Sequence, residues 1–222
     1  MSAKPAALWH HFRDLEHQQD TNTLGMWVFL ATEIMIFGAL FTGYTIFRTR
    51  YTPSFEAASR HLNLLIGGVN TVVLLTSSLT MALAVRAAHR GNSQAIVRYL
   101  ALTLLLGTAF LSLKAVEYYC DYRERLVPVL SFDAAEWRHG EVNPQHVQLF
   151  LIFYYVMTGL HAVHMIIGMS ILVVLMVMAR RGAFTAAYNA PVEMWGLYWH
   201  FVDVVWIFLL PLLYLIGTRT GF

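Results

Sequence analysis

From Trp195 to Tyr214 the chain is apolar almost without interruption, yet His200 and Asp203 stand inside that run. About 20 apolar residues are enough for a helix to cross a bilayer. An unpaired charge near the centre of such a helix costs roughly 2.5–3.5 kcal/mol even on the mildest scale. On a helix, Glu193, Gly196, His200 and Asp203 share one narrow face, while Trp195, Trp199 and Trp206 lie along another. The first face must therefore meet polar groups on neighbouring helices. That demand selects one fold class, an all-α integral membrane bundle whose polar faces turn inward.

The rest of the chain supplies the neighbours. Hydrophobic residues make up 58% of its 222 residues and charged ones 13%, more apolar surface than a soluble core of this size needs. Five transmembrane helices are expected. The first runs from about Leu24 to Phe47 with Thr21, Asn22 or Thr23 as N-cap, and a loop holding Pro53 leads to the second, near His61–Val85. Gly91, Asn92 and Ser93 read as a C-cap and a new N-cap before the third, near Val97–Tyr119. A charge-rich loop follows, and Asn143-Pro144 is a cap and first-turn pair for the fourth, near Gln145–Ala179, which is longer than a bilayer requires. Asn189 and Pro191 introduce the fifth, ending near Gly217. Residues 1–23 form an N-terminal surface segment, in which Leu8, Trp9, Phe12 and Leu15 recur at helical spacing; residues 24–222 form a single transmembrane domain. The opening stretch lacks the charged-then-apolar order of a signal peptide, so the first span is expected to act as its own insertion signal.

Charge narrows the function classes. A net charge of +2, with basic residues scattered among loops, argues against a nucleic-acid partner. The lone Cys120 excludes an internal disulfide or a thiolate metal cage built by this chain. Loops on the N-terminal side hold Arg86, Arg90, Arg98, Arg180 and Arg181 in short, nearly acid-free connections. The loop after the third helix mixes arginines with Asp121, Glu124, Asp133, Glu136 and Glu141. Basic residues total the same on the two sides, but the short, nearly acid-free connections predict a cytoplasmic N-terminus and an outer C-terminus.

Each span carries one face of small and polar residues, the pattern of close helix contact in lipid. Glu33 sits on the first; Asn63, Gly67, Asn70 and Ser77 on the second; Thr103, Gly107, Lys114 and Glu117, with Asp121 one turn further, on the third; and Tyr154, Met157, His161, His164 and Gly168 on the fourth. Glu33, His200 and Asp203 lie at one depth, and His161 and His164 reach that depth from the opposite side. A buried polar cluster of Glu33, His161, His164, His200 and Asp203 is expected, with Glu33 bonded to an imidazole of the fourth helix. Lys114 and Glu117 form a secondary i,i+3 ion pair nearer the other surface. Three readings of these groups stand open: a metal or haem site using the His-x-x-His spacing, a proton or ion pathway, and a satisfied polar lock between helices.

The same residues carry a family resemblance. Trp199-His200-Phe201-Val202-Asp203-Val204-Val205-Trp206 resembles the signature of subunit III of the haem–copper terminal oxidases. Leu24-Gly25-Met26-Trp27-Val28-Phe29-Leu30-Ala31-Thr32-Glu33, Asn70-Thr71, Lys114-Ala115-Val116-Glu117-Tyr118 and Thr158-Gly159-Leu160-His161-Ala162-Val163-His164 agree in the same order. The resemblance implies the five-helix bacterial form, cytochrome c or quinol oxidase, in the bacterial inner membrane. It implies an accessory subunit with no haem, copper or other metal of its own, those cofactors residing in partner subunits. It further implies packing against subunit I beside subunit II, with room for a small subunit IV, bound phospholipid and support of proton uptake; membership in a larger respiratory supercomplex is left open by the sequence. The larger form has two additional N-terminal helices that wall a lipid cleft; here another subunit would supply that wall. Two other assignments remain at this point: an accessory subunit of nitric-oxide reductase, and a stand-alone proton-coupled carrier. The single internal proline of the last helix, Pro211, and the odd number of spans count against the carrier.

Overall fold

A computed structural model of the chain describes residues 15–128, 132–134, 137, 142–186 and 188–217. Among the described residues six helices follow one another: α1 (Leu15–Arg50), α2 (Thr52–Ser59), α3 (Leu64–His89), α4 (Ser93–Arg123), α5 (Pro144–Arg180) and α6 (Ala190–Tyr214). All but α2 are long and apolar enough to cross a membrane. The amphipathic stretch around Leu8, Trp9 and Phe12 lies outside the described residues, as do Glu136 and Glu141 of the outer loop.

Several boundaries follow the sequence closely. The Asn92 side chain accepts from the Ala95 N–H and opens α4, and the Asn143 side chain accepts from the Gln145 N–H and opens α5. Gly91, at φ +66°, turns the chain out of α3. Other boundaries differ. Thr21, Asn22 and Thr23 are helical rather than a cap, because α1 is continuous from Leu15 and a polar trio costs a helix only a few tenths of a kcal/mol per residue. The loop holding Pro53 is the short helix α2, with the proline in its first turn, where no intrahelical N–H is needed. Asn63 is not on the polar face of α3 but caps it, accepting from Leu65 and Ile66. Asp121 lies not in a loop but in the last turns of α4, and is buried.

The helices α3, α4, α5 and α6 form a closed ring, each packed against the two beside it. Glycines permit the close approach. A Cβ on Gly107 of α4 or Gly168 of α5 would stand 3.1 Å from the ring atoms of α6, so Trp199 is gripped from two sides. The α1 helix lies outside the ring against α5 and α6. Its buried side chains are Leu30, Phe37 and Tyr44, seven residues apart, and Glu33 falls on that stripe between the first two. The remaining faces of α1 are apolar and exposed, including Leu24, Trp27, Ile34, Met35 and Ile46. The far end of α6 is held by α1 and α2. Pro211 interrupts this helix, and the Tyr44 hydroxyl donates to the Leu212 carbonyl (2.7 Å) while the Ser59 hydroxyl donates to that of Leu213 (2.7 Å). These carbonyls belong to the last turn and would otherwise lack partners.

Candidate functional site

The stripe on α1 brings Glu33 against α5, where its Oε2 lies 2.8 Å from His164 Nε2. His164 Nδ1 stands 2.8 Å from the Leu160 carbonyl, which can only accept, so Nδ1 carries a proton. One further proton is then held between Glu33 and Nε2, as an imidazolium–carboxylate pair or as a neutral acid donating to the ring. The Tyr198 hydroxyl donates to the His164 carbonyl (3.0 Å), and Phe37 packs on the imidazole with 5.4 Å between ring centroids. Three helices thus fix this pair: α1, α5 and α6.

The other members of the expected cluster face elsewhere. His200 Nδ1 meets the Ser78 hydroxyl of α3 at 2.7 Å. Asp203 is 3% exposed and accepts no hydrogen bond; Ser78 faces it without meeting it at bonding geometry. His161 is 1% exposed, and neither ring nitrogen has a partner. Hydrogen bonds therefore join Glu33 to His164 and leave His161, His200 and Asp203 out of that pair. Helical geometry is the reason. Residues three apart differ by about 60° in direction, so His164 points to α1 while His161 points to the ring interior between Phe110 and Trp206. The same angle parts His200 from Asp203. With its imidazoles turned apart, the His-x-x-His spacing makes no chelate, and no group of three metal-ligating side chains is gathered among the described residues.

The second ionic site is larger than an i,i+3 pair. Lys114, 4% exposed, donates to Glu117 Oε2 (2.9 Å), the Tyr214 hydroxyl (2.8 Å) and the Tyr154 hydroxyl (3.2 Å), which uses all three ammonium protons. Both tyrosines donate on to Glu117 Oε1. The rings of Tyr118, Tyr154, Trp206 and Tyr214 surround the ammonium at 5.0–5.5 Å from their centroids, within cation–π range. Asp121 closes the end nearer the C-terminus of α4, accepting from Tyr155 (3.3 Å) and sharing the single Tyr154 hydroxyl proton (3.4 Å) with Glu117. The sequence placed Tyr154 on the right face but gave it no role, and Tyr214 and Tyr155 were missed. A depth register would have found Tyr214, since α4 and α6 run the same way and Phe110 stands level with Trp206.

One concave surface adjoins the first pair. Ile34, Phe37, Gly38 and Phe41 of α1 and Phe201, Val204, Val205 and Phe208 of α6 line a groove of about 360 Å³ with an almost wholly apolar wall.

Comparison with known proteins gives this arrangement its setting. Residues 10–122 and 145–218 match the family described as cytochrome c oxidase subunit III, leaving out the loop after α4. The chain is 34% identical over 196 residues to cytochrome c oxidase subunit 3 of Corynebacterium diphtheriae, covering 87% of each chain. It is 31% identical over 197 residues to cytochrome c oxidase subunit 3 of Alkalihalophilus pseudofirmus, covering 87% of this chain and 86% of that one. It is 29% identical over 208 residues to the cytochrome bo(3) ubiquinol oxidase subunit 3 of Pseudomonas aeruginosa, covering 93% and 91%. A bundle of five apolar spans with a part-buried carboxylate–histidine pair, matched on both sides of the loop after α4, belongs to the subunit III family of cytochrome c oxidase.

Proposed function

We propose that this chain is the accessory subunit III of a respiratory haem–copper terminal oxidase in a bacterial inner membrane. It packs beside the catalytic subunit I, near subunit II and a small subunit IV, and holds no redox centre itself; haem and copper reside in those partners. The observation that carries the reading is the family match across both halves of the chain. The geometry is suited to the role. Lys114, Glu117, Asp121, His161, His164 and Asp203 are buried within the bundle, and α1 offers an apolar flank to a larger companion. The groove between α1 and α6, about 360 Å³ with an almost wholly apolar wall, suits a phospholipid acyl chain, which supports bound structural lipid. The Glu33–His164 pair, opening beside that groove, is the group we assign to the support of proton uptake. The relatives include subunits of both cytochrome c and ubiquinol oxidases, so the electron donor is a property of other subunits. The short, nearly acid-free connections that carry Arg86, Arg90, Arg180 and Arg181 support a cytoplasmic N-terminus and an outer C-terminus.

A tag on this chain and purification in mild detergent test the proposal. Expected is co-purification of an oxygen-reducing haem–copper subunit with its visible absorption bands, and a shorter turnover lifetime when this chain is stripped away. Recovery of the chain alone, or with a nitric-oxide-reducing subunit, overturns it.

A further inference from the structure

Two layers of the ring are related by a seven-residue step. In the first, Trp199 donates to the Ser77 hydroxyl (3.0 Å), Thr103 bonds Thr80 (2.8 Å), and Gly168 lies against Trp199. Because α3 and α5 run opposite to α4 and α6, the next layer holds Asn70, Phe110, His161 and Trp206, one from each helix of the ring. These four are at most 1% exposed. Phe110 meets Trp206 edge-on with 4.8 Å between centroids, and His161 packs on both at 5.5 and 5.2 Å. The indole N–H is spent on Thr71 (3.1 Å). The Asn70 amide and the His161 imidazole have no hydrogen-bond partner.

This layer parts the polar interior into two. On one side lie Lys114, Glu117, Asp121, Tyr154, Tyr155 and Tyr214, joined to one another. On the other lie His164 with Glu33, and His200 with Ser78. No hydrogen bond among the described residues joins the two sets. A proton crossing between them needs a continuous run of donors and acceptors or of water, and the Phe110 and Trp206 rings that meet edge-on between the two sets contribute no link to such a run. The Lys114 ammonium stands 5.2 Å from the Trp206 ring, so the cationic end of the Lys114–Glu117 pair lies against the barrier from one side. A cation held beside an apolar constriction is how water-selective pores exclude protons.

We infer that the Phe110–Trp206–His161 layer, with Lys114 above it, seals the polar core of this bundle against protons. The chain thereby combines ionisable groups throughout its interior with a tight membrane, an insulating function separate from any role in an oxidase. The inference does not rest on the proposed function and is tested on the full chain alone. The chain is reconstituted in liposomes holding a pH-sensitive dye, and a potassium–valinomycin potential drives protons inward. The wild type is expected to admit protons within twofold of protein-free vesicles. In Phe110→Ala the space opened is bordered by the free nitrogens of His161, so it takes up water rather than staying dry, and proton entry rises at least tenfold. Leu172→Ala, a cavity of similar kind three turns along α5, stays tight. Should Phe110→Ala not reconstitute as a folded helix bundle, Trp206→Leu opens the same layer and is expected to leak likewise. Variants of this layer as tight as the wild type, equal leakage from Leu172→Ala, or a conducting wild type silenced by His161→Phe would each overturn the inference.

Discussion

Removing the Glu117 carboxylate should injure this protein more than removing its partner. In Glu117→Ala the Lys114 ammonium remains 4% exposed among four rings with no counter-charge within bonding distance, and the two tyrosine hydroxyls lose a shared acceptor. Breaking a buried pair in this way costs about 3–5 kcal/mol, or two to three and a half decades in the folding equilibrium at about 1.4 kcal/mol per decade. In Lys114→Met the carboxylate keeps both tyrosine donors at Oε1, which lowers the expected cost to about 1–3 kcal/mol. The double variant Lys114→Met/Glu117→Ala leaves no unpaired charge and should be less damaged than Glu117→Ala alone. The assay is unfolding in mixed detergent micelles, followed by circular dichroism, for wild type, both single variants and the double. A double variant that loses the sum of the single losses would show the two groups to be energetically independent and refute the reasoning.

Three further outcomes are expected. Glu33→Ala should lower the retention of this chain in its purified complex, while Glu33→Gln, which keeps a hydrogen bond to His164, should lower it less; equal retention of all three, with turnover lifetime unchanged, would deny the pair its role. Gly168→Ala should cost about 1–3 kcal/mol because its methyl would stand 3.1 Å from the Tyr198 ring, whereas Gly159→Ala meets nothing within 4 Å and should stabilise α5 by about 0.5–1 kcal/mol; melting temperatures of the pair check both signs. Cys120 is exposed near the outer end of α4 and is the chain's single thiol, so a membrane-impermeant maleimide should label it in spheroplasts and not in inside-out vesicles; the reverse pattern would invert the proposed topology.

The five spans were legible because each is a long apolar run, and the caps at Asn92 and Asn143 because side-chain capping is a local event. The inward faces were legible too. Gly67, Asn70 and Ser77, and Thr103, Gly107, Lys114 and Glu117, are buried as helical spacing requires. What the sequence withheld was direction within a face. His161 and His164 differ by one short step along α5, yet only the second meets Glu33, a choice set by where α1 docks. The reach of Lys114 to Tyr214, a hundred residues away, depends on the relative depth of two helices, which no local signal encodes. The short helix α2 was hidden by its proline, which marks a first turn as readily as a loop.

The anchoring of α6 by Tyr44 and Ser59 has a consequence for biosynthesis. The first span to leave the ribosome makes its principal contacts with the last two, α5 and α6, and with the short α2 that follows it. The Tyr44 hydroxyl finds the Leu212 carbonyl only once α6, the last of the described helices, has been made. Until then the leading helix must wait in the bilayer, tethered by its connection alone, while the four later helices close their ring. A premature stop before Leu212 would therefore be felt first at the opposite end of the polypeptide, as a leading helix left adrift and open to proteolysis.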